Sequence, residues 1–527
     1  MIKILVSDPI VKTGLVSLLD NPKYSLDYRP GLPAAELLSV IPDYDVLLVR
    51  SETKVNAEVM KAGKKLCLIG RAGAGVDNID LKAATEQGII VINVPGGNTL
   101  SAAEQTWTLI LSLARNLPQA YVSLKQKQWE RKKFIGTQVS GKVLGVVGLG
   151  RIGKEVATRG LAFGMKVIAF DPFIAVEYAQ KLGIELVTLD EIYAQADFIT
   201  LHTSLNDQTR HLINKETIGK MKDGVRIINC SRGPIIDEEA LSEGIKSKKI
   251  RGAALDVFDQ EPPKNWDLLG LEEVICTPHL GASTEEAQQI VAEDLAAQID
   301  EYYSKGLLRG AVNAPILDPE TQQVLSPFLS LAEKIGLLSA QTVEGGISRV
   351  SITYSGEIIQ HNLALLTAKY LQGLLTPIIG NEVNFVNAGY LANSRGIQVK
   401  ESRLTRTEDY LNAIGVEVYN GNKKTKFMGT IFSRSNLRIV QLGEFPVDLT
   451  PEGWVLLLRN IDHPGVIGAV GTVLGRNNIN IAGMEVGRQA PGKDALTLIN
   501  VDSDVSKAVL SAIGQIKGVT GVKLIKF

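Results

Sequence analysis

The chain has 527 residues but only three cysteines, no excess of charge of either sign and no long apolar run. Cys67, Cys230 and Cys276 are odd in number and share no zinc or redox spacing, so a disulfide framework and a cysteine metal site are excluded. Each closes an apolar stretch, the setting of a buried structural thiol. Lys plus Arg is 56 against 57 for Asp plus Glu, a net charge of −1. That balance argues against a protein that coats nucleic acid, which carries a basic excess, and against a polybasic membrane-surface protein. No stretch approaches the roughly 18 apolar residues of a membrane span. Met1 to Asp8 alternates like a first β-strand and lacks the apolar core of a signal peptide. Internal repeats and low-complexity tracts are also missing. The expectation is a soluble, cytoplasmic protein with no metal, nucleic-acid or membrane partner.

What is present is a globular composition, 45% hydrophobic and 21% charged. At about 150 residues per domain, three or four domains are predicted. Gly is 50 of 527 residues, above the usual share of about 7%, so the placement of glycines is informative.

Residues 1–97 alternate apolar runs (Ile2–Val6, Asp45–Val49, Leu66–Ile69, Ile89–Asn93) with helical stretches. This is the pattern of a parallel sheet covered by helices. An amphipathic helix is predicted from Ser101 to Leu117, ending at Pro118. Residues 140–280 repeat the alternation, with strands at Val143–Val147, Lys166–Phe170, Phe198–Leu201, Val225–Asn229, Gly252–Leu255 and Val274–Thr277. Most read as strands buried on both faces. A helix from Thr284 to Tyr303 leads to Pro315, read as a domain end. Residues 318–450 read as an α+β module, with a helix at Glu320–Gln341 and alternation over Ser348–Tyr354. Residues 453–527 read strand, helix, strand, strand, helix, strand, a split βαβ arrangement.

The sharpest local signal is G-x-G-x-x-G at Gly148, Gly150 and Gly153. It follows an apolar strand and opens a helix, and Asp171 ends the next strand 18 residues past Gly153. The first glycine permits the tight turn, the second lets backbone approach a pyrophosphate, and the third lets helix and strand pack closely. The helix N-terminus offers free N–H donors to the phosphates. Asp171 can accept hydrogen bonds from a ribose. The next basic residue is Lys181, so nothing adjacent holds a 2′-phosphate, and the cofactor predicted is NAD.

Ligands of doubly wound sheets bind beyond the carboxyl ends of the strands. Polar residues there are Cys230-Ser231-Arg232-Gly233, Asp256 to Glu261, and Pro278-His279. The trio Arg232, Glu261 and His279 suits exchange between a 2-hydroxy acid and its oxo form. His279 would move the hydroxyl proton in either direction. Glu261 would fix its tautomer and raise its pKa. Arg232 would grip the carboxylate bidentately. His202 lacks a comparable partner, and His211 and His361 read as structural or exposed.

These segments resemble the D-isomer-specific 2-hydroxyacid dehydrogenases. The matching pieces are Gly148-Leu149-Gly150-Arg151-Ile152-Gly153, Leu201-His202-Thr203, Asn229 to Gly233, Asp256-Val257-Phe258 with Glu261-Pro262, and Thr277 to Gly281. The resemblance covers about residues 1–315. Asp462-His463-Pro464-Gly465 and Asn478 to Ile481 resemble an ACT domain, a regulatory amino-acid-binding module.

The resemblance implies an α/β protein. A doubly wound Rossmann cofactor domain (98–283) is inserted in a flavodoxin-like substrate domain (1–97 and 284–315). An α+β intervening domain (316–450) and a ferredoxin-like ACT domain (453–527) follow. It implies an NAD site including Arg151, Ile152, Thr203, Cys230, Ser231, Asp256 and Gly281, and dimerisation through the cofactor domain, giving a homodimer or homotetramer. With both C-terminal modules it implies oxidation of 3-phosphoglycerate to 3-phosphohydroxypyruvate, the first step of serine biosynthesis, with L-serine as effector.

A carboxylate and a phosphate need several cations. Arg50-Ser51, Arg71 with the Gly73–Gly75 turn, Arg131 and Asn98 are the substrate candidates. Asn460, Asp462 and Asn480 are the effector candidates, with helix capping as the other use of Asp462. A glyoxylate or hydroxypyruvate reductase and a non-enzymatic NAD-sensing corepressor of the same fold are the alternatives.

Overall fold

Apolar strands alternating with helices build two parallel sheets. The computed structural model describes residues 1–527 except Leu317, residues 406–408 and Arg434. In the first sheet, β1 (Ile2–Val6), β2 (Tyr24–Tyr28), β3 (Val46–Val49), β4 (Leu68–Arg71) and β5 (Ile90–Asn93) lie in the order β2-β1-β3-β4-β5. All pairings are parallel. Strand order reverses between β1 and β3, so a crevice opens at their carboxyl ends, where Asp8 and Arg50 stand. The sequence reading missed β2. It is an edge strand whose Tyr-Ser-Leu-Asp-Tyr sequence buries only Tyr24 well, so no apolar run announces it.

The second sheet contains β6 (Val143–Val147), β7 (Lys166–Phe170), β8 (Glu185–Leu186), β9 (Phe198–Leu201), β10 (Val225–Asn229), β11 (Ile250–Leu255) and β12 (Val274–Cys276). Their order is β12-β11-β10-β9-β6-β7-β8, again all parallel. The switch point falls between β6 and β9, beside the glycine turn. The two-residue β8 was not foreseen. The helix Thr99–Arg115 packs on this sheet through Ala103, Trp107, Ile110 and Leu113. It does not run to Pro118. Asn116 turns left-handed at φ 53°, and Pro118 sits in the first turn of a new helix, Leu117–Lys125, where its missing N–H costs nothing.

After the second sheet the chain returns to the first. The helix Glu285–Lys305 is capped by Thr284, whose side chain accepts from Ala287 N–H. Its stripe of Val291, Ala292, Leu295, Ala296 and Ile299 packs against Ile4, Val6, Leu48 and Leu68, the spacing of one helical face.

The third sheet runs β14 (Gln398–Leu404), β13 (Arg349–Gly356), β15 (Asn412–Asn420), β16 (Lys423–Phe432), β17 (Asn436–Leu442), β18 (Phe445–Leu449). Helices Pro319–Thr342 and Ala364–Ile379 share its core. The fourth sheet is antiparallel, in the order β20 (Ile481–Arg488), β21 (Asp494–Val501), β19 (Trp454–Ile461), β22 (Val519–Lys526). Successive residues of β19 face opposite ways. Leu456 and Leu458 pack with Val470, Leu474 and Ile513 of its own helices. Val455 and Leu457 belong to the core that includes Leu331 and Ile335. The last two sheets therefore share one apolar core. Gln341 seals the join, donating to Lys526 O and accepting its N–H, both at 3.0 Å.

The cysteine expectation fails at two positions. Cys67 and Cys276 are exposed, and Cys230 is half-buried.

Candidate active site

The glycine turn is shaped by close backbone approach. Gly148 has φ +91°, and a Cβ on it would stand 2.6 Å from His202 O. A Cβ on Gly153 would stand 1.9 Å from Gly148 O. Gly150 meets nothing within 4 Å of a built Cβ and forms the N-cap of the helix Arg151–Ala162 without a side-chain cap. No side chain caps the first-turn N–H groups of that helix, which carry the positive end of its dipole.

Thr203 Oγ1 is buried here without a hydrogen-bond partner among the described residues. Buried hydroxyls are normally paired. The open glycine, the uncapped helix and the orphaned hydroxyl together fit a dinucleotide. Arg151 is exposed beside them, and Ile152 is partly buried against the sheet core.

Several predicted cofactor residues have other tasks. Asp171 Oδ2 accepts from Leu149 N–H at 2.8 Å and Oδ1 from Phe173 N–H at 2.9 Å. It pins the glycine turn before any ribose arrives. Asp256 is fully buried, and both oxygens are taken. Oδ1 accepts from Thr277 Oγ1 at 2.5 Å and Leu280 N–H at 2.8 Å, and Oδ2 from Gly281 N–H at 2.8 Å. In this arrangement it holds the loop that carries His279. Ser231 Oγ donates to Thr203 O at 3.1 Å, joining the ends of β9 and β10. Burial pushes the Cys230 thiol up to about 12, which makes it inert.

His279 has φ 55°, an uncommon conformation for a non-glycine residue. Its Nδ1 lies 2.7 Å from Glu261 Oε2, while Phe258 N–H donates to Glu261 Oε1 at 3.3 Å. Burial raises the Glu261 pKa, but the His279 hydrogen bond and charge, the Phe258 N–H and the Arg232 charge outweigh it. Its carboxyl is held below the usual carboxylate range. A carboxylate on Nδ1 fixes Nε2 as the ring nitrogen that faces a reactant. His202 is different. Its Nε2 lies 2.9 Å from Thr200 Oγ1, and burial pushes its pKa down to about 3, so it stays neutral.

The opposite lobe supplies cations. Buried Asp8 accepts the N–H groups of Arg50 (2.6 Å), Glu52 (3.1 Å) and Thr53 (3.1 Å), which builds the Arg50-Ser51 turn. Sequence reasoning missed Asp8, because its role depends on three donors more than 40 residues away. Arg71 Nε donates to Arg50 O at 3.2 Å. Burial, then the charges of Arg232 and Arg50, push the Arg71 pKa down to about 10, so it is protonated at neutral pH. Three guanidiniums in mutual repulsion make a site that an anion relieves. The N–H groups of Ala74, Gly75 and Val76 donate to no described residue. A small cavity bordered by Pro9, Arg50, Gly73, Ala282 and Gln288 lies at this switch point. Asn98 Oδ1, at the head of the bridging helix, is buried without a hydrogen-bond partner among the described residues.

Arg232, Glu261, His279, Arg50 and Arg71 are thus brought to one cleft. Arg131 stands apart on the exposed segment after the helix Leu117–Lys125, with no ion pair to cleft residues among the described residues.

The effector candidates are also separate from one another. Asn460 is buried, its Oδ1 accepting from Thr497 Oγ1 at 3.0 Å and its Nδ2 donating to Ile461 O at 3.0 Å. Its amide is thus engaged at both ends within the module. Asp462 pairs with Arg488 at 2.9 Å, and the following helix is capped by Gly465, so capping is not its role. Asn480 donates to Asp502 at 2.7 Å.

Two doubly wound sheets facing one cleft, with an Arg–Glu–His set opposite a dinucleotide turn, define a D-isomer-specific 2-hydroxyacid dehydrogenase. Residues 107–281 match the model of that family's NAD-binding domain, residues 324–443 the D-3-phosphoglycerate dehydrogenase intervening domain, and residues 454–518 the ACT domain. The D-3-phosphoglycerate dehydrogenase of Methanocaldococcus jannaschii is 45% identical over 526 residues, covering 100% of both chains. That of Synechocystis is 44% identical over 100% of this chain and 95% of its own. The D-lactate dehydrogenase of Aquifex aeolicus, solved with NAD and lactic acid, aligns with TM-score 0.54 and 28% identity over 59% of this chain and 99% of its own. The chain belongs to the D-3-phosphoglycerate dehydrogenase family.

Proposed function

We propose that this chain is an NAD-dependent oxidoreductase that interconverts D-3-phosphoglycerate and 3-phosphohydroxypyruvate. The observation that carries this reading is the His279–Glu261 pair at 2.7 Å in the same cleft as Arg50, Arg71 and Arg232. Gly148 to Gly153 and Thr203 would hold the NAD, which when bound accepts a hydride from the substrate carbon. Arg232 grips the substrate carboxylate and orients the carbon that reacts. His279 Nε2 takes the hydroxyl proton in oxidation and returns it in reduction. Glu261 stays ionised and stabilises the imidazolium that forms. Arg50, Arg71 and the free N–H groups of residues 74–76 neutralise the phosphate.

The ACT domain supports L-serine as the effector, the product end of the biosynthetic route this reaction opens. Asp462 and Asn480, held apart in one chain, would recognise it from two copies of the domain after exchanging their present partners. Exposed Leu117, Tyr121, Leu124, Trp129 and Ile135 support a homodimer or homotetramer built through the cofactor domain, which would carry Arg131 toward a neighbour's cleft. Among the described residues no helix is long and apolar enough to cross a membrane; the compartment proposed is the cytoplasm.

The test is NADH formation on adding 3-phosphoglycerate and NAD at alkaline pH, with and without serine. Turnover of the phosphorylated acid, slowed by serine, is expected. Activity on glyoxylate alone would refute the substrate; indifference to serine would refute the effector.

A further inference from the structure

Arg232 is tied to the opposite lobe by a residue outside the trio. Asp77, on the turn after β4, accepts the Nε–H of Arg232 at 2.8 Å, across 155 positions of sequence. Arg232 Nη1 donates to Ser231 O at 2.7 Å, and its own carbonyl accepts from Asn229 Nδ2 at 2.9 Å. Nη2 lies over Gly75, where a Cβ would stand 1.8 Å from it and 2.7 Å from Asp77 Oδ2. A side chain there would push the guanidinium and carboxylate out of this position above the turn. With Nε and one face of Nη1 engaged, the outer Nη1/Nη2 edge is left for a ligand, and such an edge binds a carboxylate bidentately. The turn is itself anchored, since Asn78 Nδ2 donates to Arg50 O at 3.0 Å and Thr53 O at 2.7 Å.

We infer that Asp77 is a positioning residue for Arg232, turning the outer edge of the guanidinium toward the substrate carboxylate and latching the two lobes across the cleft. The inference rests on the dehydrogenase reading above. Charge alone makes the opposite demand. An acid beside three arginines repels an anionic substrate, so removing it should strengthen binding. Positioning requires that its removal weaken binding, and the sign separates the two.

The experiment is a double-mutant cycle in the full chain: wild type, Asp77→Ala, Arg232→Lys and the double variant, with NADH affinity read by fluorescence. Asp77→Ala, which removes the acceptor, is expected to lower kcat/KM for 3-phosphoglycerate at least about tenfold, mainly through KM, with NADH affinity kept. In the Arg232→Lys background the same change should cost less than about twofold, because coupled residues are not additive. Asp77→Glu should recover part of the loss. An unchanged or raised kcat/KM in Asp77→Ala, equal losses in both backgrounds, or lost NADH binding each overturns the inference. If the wild type turns over another 2-hydroxy acid instead, the substrate reading fails, and the same cycle on that acid still decides the role of Asp77.

Discussion

Glu261→Gln isolates one charge. It keeps an oxygen that can accept from His279 Nδ1 and removes the carboxylate that balances the imidazolium. The N–O distance is 2.7 Å, and the two side chains are 43% and 40% exposed. At that separation two unit charges interact by about 1.5 kcal/mol in water and about 6 kcal/mol at an effective dielectric of roughly 20. The exposure places the pair near the water end, so about 2 kcal/mol is a reasonable loss after screening. That corresponds to roughly a 30-fold lower kcat for oxidation, at about 1.36 kcal/mol per decade. The assay is the initial rate of NADH formation at saturating NAD and 3-phosphoglycerate, with NADH affinity as control. A loss below about threefold with binding intact would refute charge stabilisation by Glu261.

The same pair has a signature in stability. The folded pKa of Glu261 is depressed, so the unfolded state holds its proton to higher pH. Its stabilising contribution is then present above the unfolded value near about 4.3 and is lost as pH falls through the folded value. Denaturant unfolding of wild type and Glu261→Gln should therefore differ at pH 6, and the gap should close as pH falls below the unfolded value and through the folded one. A gap that widens on acidification would contradict the sign.

Gly153→Ala places a Cβ 1.9 Å from Gly148 O. Overpacking of this kind costs roughly 1–3 kcal/mol, and NADH binding should weaken about ten- to a hundredfold in a fluorescence titration. Asp256→Asn turns an amide NH2 toward a pocket holding the N–H groups of Leu280 and Gly281 and the Thr277 hydroxyl. Losing one buried acceptor costs about 1–3 kcal/mol, so thermal unfolding should come earlier and kcat should fall as the His279 loop shifts. An unchanged kcat would detach Asp256 from that loop's geometry.

What the sequence made legible has a physical pattern. The glycine turn, the strand ends at Arg232, Glu261 and His279, and the order of elements all depend on residues near one another in the chain. A turn, a cap or a buried strand is written in a few consecutive positions, so β6, β9 and β10 were placed to the residue. The misses depend on partners far away. Asp8 reads as an ordinary acid after a strand until the 50–53 turn folds onto it. Asp77 reads as a turn residue until Arg232 arrives from the other lobe. Asn460 looks like a ligand-binding amide because its position in the module was read, whereas its burial depends on Thr497 of a neighbouring strand. Asp171 and Asp256 stand beside the cofactor turn and the catalytic loop, and their carboxylates accept the N–H groups, and for Asp256 also the Thr277 hydroxyl, that hold those loops in place. Chemistry-bearing residues can thus be found from local pattern. Whether an acid meets the ligand or holds the residues that do is decided by the donors around it, and only the folded chain brings those together.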